Sequence, residues 1–117
     1  MQLDHVNIRT NDLDATVSFY RDIVGLDPGP RPNFSFGGAW LYDEGRPIVH
    51  IVLASEPVAP PQGPLDHVAF RAEDLSVVMA RLDAKRIDYT VRDLPDGRGR
   101  QCFLKDPNGV RVEIGGA

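Results

Sequence analysis

A single cysteine, Cys102, excludes an internal disulfide, so nothing in this 117-residue chain requires an oxidising compartment. Its neighbours Gln101, Phe103 and Leu104 read as a strand, which favours a buried small hydrophobe over a reactive thiol. No apolar run approaches the length of a membrane span, and the opening MQLDHVNIRT lacks the basic start and apolar stretch of a secretory leader. Thirteen Lys and Arg stand against seventeen Asp and Glu, for a net charge of −4. The basic residues are scattered singly, so the sequence predicts no nucleic-acid or membrane partner. One domain, soluble and cytoplasmic, is the expectation. Histidine is also scarce, at three residues, and each of the three can be asked for its purpose.

Two of them share a repeated word. LDHV occurs at Leu3 and again at Leu65, and the match extends beyond it. With a shift of 62 residues, LDHVNIRTNDLDATVSFYRDI falls on LDHVAFRAEDLSVVMARLDAK without a gap. His5 meets His67, Arg9 meets Arg71, and Asp12-Leu13 meets Asp74-Leu75. The chain is a duplication.

Each copy opens on an alternating strand. Val6 and Ile8 oppose His5, Asn7 and Arg9; Val68 and Phe70 oppose His67, Ala69 and Arg71. A helix follows, with apolar stripes at Leu13, Val17, Tyr20 and Val24 and at Leu75, Val78, Met79 and Leu82. Asn11 or Asp12 and Asp74 suit the N-caps, and Gly25 suits the stop of the first helix. Three extended segments complete each copy: 34–36, 39–42 and 48–53, then 87–91, 101–104 and 110–114. Asp106-Pro107-Asn108-Gly109 predicts the turn of a hairpin between the last two. The fold class is therefore α+β, with two tandem βαβββ modules at 1–55 and 65–117 joined by the proline-rich linker 56–64. The segment 93–101, DLPDGRGRQ, is a glycine-rich connection, either a flap or a surface turn. It lacks the strand-to-helix setting of a phosphate loop.

If helices cover the apolar faces, His5, Asn7, Arg9 and His67 share the opposite side. In the closing strands, Arg111 and Glu113 oppose Val110, Val112 and Ile114, and His50 opposes Val49 and Ile51. Two neutral imidazoles, repeat-related, with one carboxylate from the last strand form a compact donor set for a divalent cation. The expected ligands are His5, His67 and Glu113.

These residues resemble the vicinal oxygen chelate superfamily, which includes glyoxalase I, fosfomycin-inactivating thiol transferases, extradiol dioxygenases and bleomycin-binding proteins. The resemblance rests on LDHVNIRTNDLDATVSFYRDIVGL, LDHVAFRAEDL and FLKDPNGVRVEI. It implies modules curved into a cup-shaped mixed sheet with helices outside, around one divalent ion per site (Ni, Zn, Mn or Fe). It also implies a homodimer acting on a small-molecule substrate, with room for a thiol cosubstrate. The fourth family position falls at His50, as a fourth ligand or an acid–base group. Arg9 and Arg111 could hold an anionic part of the substrate; Asn7, Trp40 and Tyr42 are further substrate-binding candidates, while Phe34 and Phe36 suit sheet core better than stacking walls. The implied activity is that of a metal-dependent lyase or isomerase that stabilises an enolate or oxyanion. A transferase, a dioxygenase, and a metal-free drug-binding protein like those of bleomycin resistance are the alternatives.

Overall fold

The computed structural model describes residues 1–116 and divides the chain into two compact units, Met1–Ala59 and a second from Pro60 onward. The first contains β1 (Val6–Thr10), α1 (Leu13–Phe19) continued by a wider π-helical turn (Tyr20–Val24), β2 (Asp27–Gly29), β3 (Gly38–Asp43) and β4 (Arg46–Leu53). The second repeats the order with β5 (Val68–Arg71), α2 (Leu75–Ala84), β6 (Thr90–Asp93), β7 (Arg100–Lys105) and β8 (Arg111–Gly116). Both are βαβββ modules, and each forms one four-stranded sheet, in the orders β1-β4-β3-β2 and β5-β8-β7-β6.

The first and last strands of each module pair in parallel; the other pairings are antiparallel. A parallel pair needs a long crossover, which the helix and the two intervening strands provide. The registers of the two modules coincide when the opening strands are shifted by 62 residues (Asn7 to Ala69) and the later strands by 63 (His50 to Glu113, Trp40 to Phe103). Asn7 lies opposite His50 as Ala69 lies opposite Glu113, and Trp40 lies opposite His50 as Phe103 lies opposite Glu113. His50 and Glu113 thus occupy one station of a duplicated fold.

The helix caps follow the sequence. The Asp12 carboxylate accepts from the Ala15 amide at 3.0 Å, and Asp74 accepts from Ser76 at 2.9 Å. Asn11 instead bonds the chain at Glu56 and Val58. Gly25 closes the first helix at φ 89°, and the next amide, of Leu26, reaches back to the Tyr20 carbonyl. The buried stripe of this helix is Thr16, Phe19, Tyr20 and Ile23, one step round from the expected Leu13, Val17 and Val24, which are half-buried. Thr16 belongs to that stripe because its hydroxyl meets that of Thr10 at 3.0 Å and donates to the Asp12 carbonyl. The polar atoms are satisfied, so burial is tolerated.

Three strand expectations need correction. Residues 34–36 form no strand: Pro30 and Pro32 remove backbone donors, and the Phe34 amide turns back to the Pro32 carbonyl. Asp27-Pro28-Gly29 supplies the outer strand instead, an edge position where proline is allowed. The strand expected at 87–91 begins only at Thr90; all four of its residues are exposed, so no burial alternation marks it. His5 and His67 each stand one residue ahead of their strand rather than within it.

The β7–β8 hairpin is fixed by Asp106, whose buried carboxylate accepts from the amides of Asn108 at 2.8 Å and Val110 at 2.9 Å. Gly109 takes φ 81°, and a Cβ there would stand 2.9 Å from Pro60. Replacing Asp106 by Ala leaves two half-buried amides without their acceptor and should cost about 1–3 kcal/mol in urea unfolding. Asp106→Asn, which keeps one acceptor, should cost less.

Candidate metal centre

In the first unit, His5 is held from two sides. Its Nδ1 lies 2.6 Å from Asp4 Oδ2, and its ring lies against that of His50 with centroids 3.8 Å apart and planes tilted by 10°. The other face of His50 carries Trp40, at 3.9 Å and 12°. Three rings form one stack. The His5–Asp4 pair is open to water and contributes little to stability on its own. The bond to His5 nevertheless holds the Asp4 carboxyl below its ordinary range.

His50 is buried, with 8% of its surface exposed. Its Nε2 lies 3.1 Å from the Pro47 carbonyl, which can only accept, so Nε2 carries the proton. Burial lowers the His50 pKa from the ordinary 6.5, and repulsion from His5 adds to it. A neutral imidazole donating through Nε2 keeps its lone pair on Nδ1.

The second unit repeats the pairing with different support. His67 Nδ1 lies 2.7 Å from Asp66 Oδ2, and Arg111 donates to that same oxygen at 2.7 Å. The bond from His67, with Arg111 alongside, lowers the Asp66 pKa. His67 Nε2 faces Glu113 Oε2 at 3.0 Å, and Gln101 donates to the other Glu113 oxygen at 2.9 Å. Arg92 donates to Gln101, and the guanidinium groups of Arg92 and Arg111 lie over the Phe103 ring at 5.1 and 4.6 Å. His67 meets the same ring edge-on.

The expected ligands are therefore prepared in a common way. Each aspartate of the repeated word accepts a hydrogen bond from Nδ1 of the histidine beside it, leaving Nε2 for a further partner. The His67–Glu113 distance also suits a shared ion, since two donors about 2.1 Å from an ion and at right angles lie roughly 3 Å apart. Among the described residues of each unit, no three His, Cys, Asp or Glu side chains are arranged to hold an ion by themselves. The expected set takes one member from the first unit and two from the second.

Other expected residues fare differently. Asn7 and Arg9 are exposed on β1. Tyr42 is bound into the edge of its sheet, with its hydroxyl donating to the Pro30 carbonyl and its ring lying over Gly29. Phe34 and Phe36, expected in the core, are exposed and stacked on one another, with Arg31 over both rings. Cys102 is buried, and burial raises its thiol pKa, as suits a packing residue.

Sequence reasoning missed Asp4, Asp66 and Gln101 as supports. The aspartates were legible in the repeated word itself, one residue ahead of each histidine. It also missed a cavity of about 600 Å³ in the second unit, lined by Arg71, Arg98, Arg100, Gln101, Glu73 and Glu113 among others. Arg98 and Arg100 come from the 93–101 connection and Arg71 from β5, so the cavity's charge is assembled from two segments far apart in sequence.

An α+β chain built of two such modules, each presenting an Asp–His pair at the mouth of its first strand, has a glyoxalase-like fold. The family model for the Glyoxalase/Bleomycin resistance protein/Dioxygenase superfamily matches residues 2–114, and the chain belongs to that superfamily. It is 36% identical to "Glyoxylase I 4" of Arabidopsis thaliana over 96% of this chain and 68% of that protein. It is 25% identical to lactoylglutathione lyase of Haemophilus influenzae, over 97% and 91% respectively. The structure of the fosfomycin resistance protein FosX from Listeria monocytogenes superposes with a TM-score of 0.79 at 17% identity, covering all of this chain and 93% of that one, a likeness of fold.

Because the folded-state pKa of His50 lies below its unfolded value, the unfolded chain takes up this proton first as pH falls through 6.5. The contribution is complete above that pH and declines below it. Asp4 and Asp66, whose folded values are also depressed, act in the same sense below about 4. The urea midpoint should therefore fall between pH 8 and pH 5.5, and His50→Phe should flatten that slope.

Proposed function

We propose that the protein is a divalent-metal-dependent lyase or isomerase of the vicinal oxygen chelate type, acting on a small substrate through two neighbouring oxygens. The observation that carries this reading is the pair of Asp–His units, one per module, with Glu113 Oε2 set 3.0 Å from His67 Nε2. His5, His67 and Glu113 would hold the ion. When bound, the ion supplies Lewis-acid polarisation of the substrate oxygens and stabilises developing negative charge.

The chain's own groups do the rest. Asp4 and Asp66 fix the histidine tautomer and raise the basicity of Nε2. Gln101 pins one Glu113 oxygen and leaves the other toward His67. Arg111, committed to Asp66 and Phe103, steadies that arrangement. The cavity beside Glu113 has a volume typical of small-molecule sites. Its arginines outnumber its two carboxylates, and neutralising Glu113 on an ion increases the imbalance. That charge suits a substrate with an anionic group, including a thiol adduct of the kind implied by the name lactoylglutathione lyase.

The test is metal content and affinity of untagged protein purified without chelator, followed by an assay for lactoylglutathione formation. One equivalent of Ni²⁺, Zn²⁺, Mn²⁺ or Fe²⁺ per site is expected, with affinity falling as pH is lowered because protons compete for the ligands. Glu113→Gln and His67→Ala should each weaken binding by at least about 100-fold, whereas Arg111→Ala, acting through Asp66, should cost about 10-fold. A protein without affinity for any of the four ions would refute the reading. It would favour instead a metal-free binding protein, for which the exposed Phe34–Phe36 pair is the supporting observation. In the cavity, Arg98→Ala with Arg100→Ala should raise KM for an anionic substrate with kcat little changed.

A further inference from the structure

His50 stands at the station that Glu113 occupies in the other repeat, opposite an aromatic residue on one neighbouring strand and a small residue on the parallel one. Glu113 meets its module's histidine through an oxygen atom; His50 meets its own through a ring face. The two copies have kept the contact and changed its chemistry.

The difference decides what His50 can do. A metal ion lies in the plane of each imidazole that ligates it, about 2.0–2.1 Å from the nitrogen. The planes of His5 and His50 are nearly parallel and a full stacking distance apart. Planes tilted by only 10° meet far beyond the reach of such a bond, so one ion cannot lie in both. The Nε2 proton of His50 is committed to Pro47, and its faces are covered by His5 and Trp40.

His5 needs that support. It precedes β1 and is exposed. A single bond from Asp4 fixes Nδ1 but leaves the ring free to swing about that bond. Stacking on a buried, strand-borne ring removes the swing.

We propose that His50 is a positioning residue rather than a ligand or base: by stacking between His5 and Trp40 it holds the His5 imidazole so that Nε2 is presented in one fixed direction. The inference deepens the metal-enzyme reading, since it takes His5 as a ligand. The stack itself is independent of metal. A ring without nitrogen should therefore replace His50.

The test uses the full chain with His50→Phe, His50→Ala and His50→Gln. In metal-free protein, the His5 ring protons should resonate upfield through ring currents; His50→Phe should keep that displacement and His50→Ala should lose it. Titration with Mn²⁺ or Ni²⁺ should give His50→Phe within about threefold of the parent, with His50→Ala and His50→Gln weaker by about 10- to 100-fold. Trp40, the sole tryptophan, gives a fluorescence check that the stack persists. Equal loss in Phe and Ala, or rescue by Gln alone, would overturn the proposal in favour of a ligand nitrogen. His5 resonances unmoved by His50→Ala would also overturn it. A parent protein that binds neither ion, with the ring-current pattern as expected, would refute the metal reading while leaving the stack established.

Discussion

Parallel pairing between the first and last strands of each module is the constraint on which the rest depends. It brings residues more than forty positions apart into fixed register, Asn7 against His50 and Ala69 against Glu113. The side chain of the closing strand then lies beside the histidine that precedes the opening strand. Neither partner could find the other by local structure, because parallel strands cannot be joined by a tight turn. The helix that makes the crossover also covers the apolar face, so one connection serves topology and core together.

On that scaffold the two copies have diverged at equivalent places. The second module surrounds its histidine with charge: Arg111, Asp66, His67, Glu113, Gln101 and Arg92 form, in that order, a chain of polar contacts around Phe103. The first surrounds its histidine with rings, His50 and Trp40. Elsewhere the divergence runs the other way. Thr10 and Thr16 form a buried hydroxyl pair in the first module where the second has Ala72 and Val78. Duplication fixes positions, and each position remains free to solve its contact by a different interaction.

Much of this was legible along the chain. The repeat, the caps at Asp12 and Asp74, the turn at Asp106 and the alternation of β1 and β5 all depend on residues close in sequence. The strands that were missed (Asp27–Gly29) or misplaced (Thr90–Asp93, expected at 87–91) were edge strands. Asp27–Gly29 and Thr90–Asp93 are exposed throughout, so no period-two pattern of burial marks them. Phe34 and Phe36 misled for a different reason: aromatic content suggested a strand, but neighbouring prolines deny the segment its ladder.

The sequence by itself determined the duplication, the α+β class and the pairing of each histidine with the aspartate beside it, because these depend on neighbours in the chain. Tertiary structure decided what lies on the far side of each imidazole. His5 received a ring and His67 a carboxylate, although both belong to the same four-letter word. That choice is made by a strand arriving from over forty residues away, and its register is set by backbone hydrogen bonding.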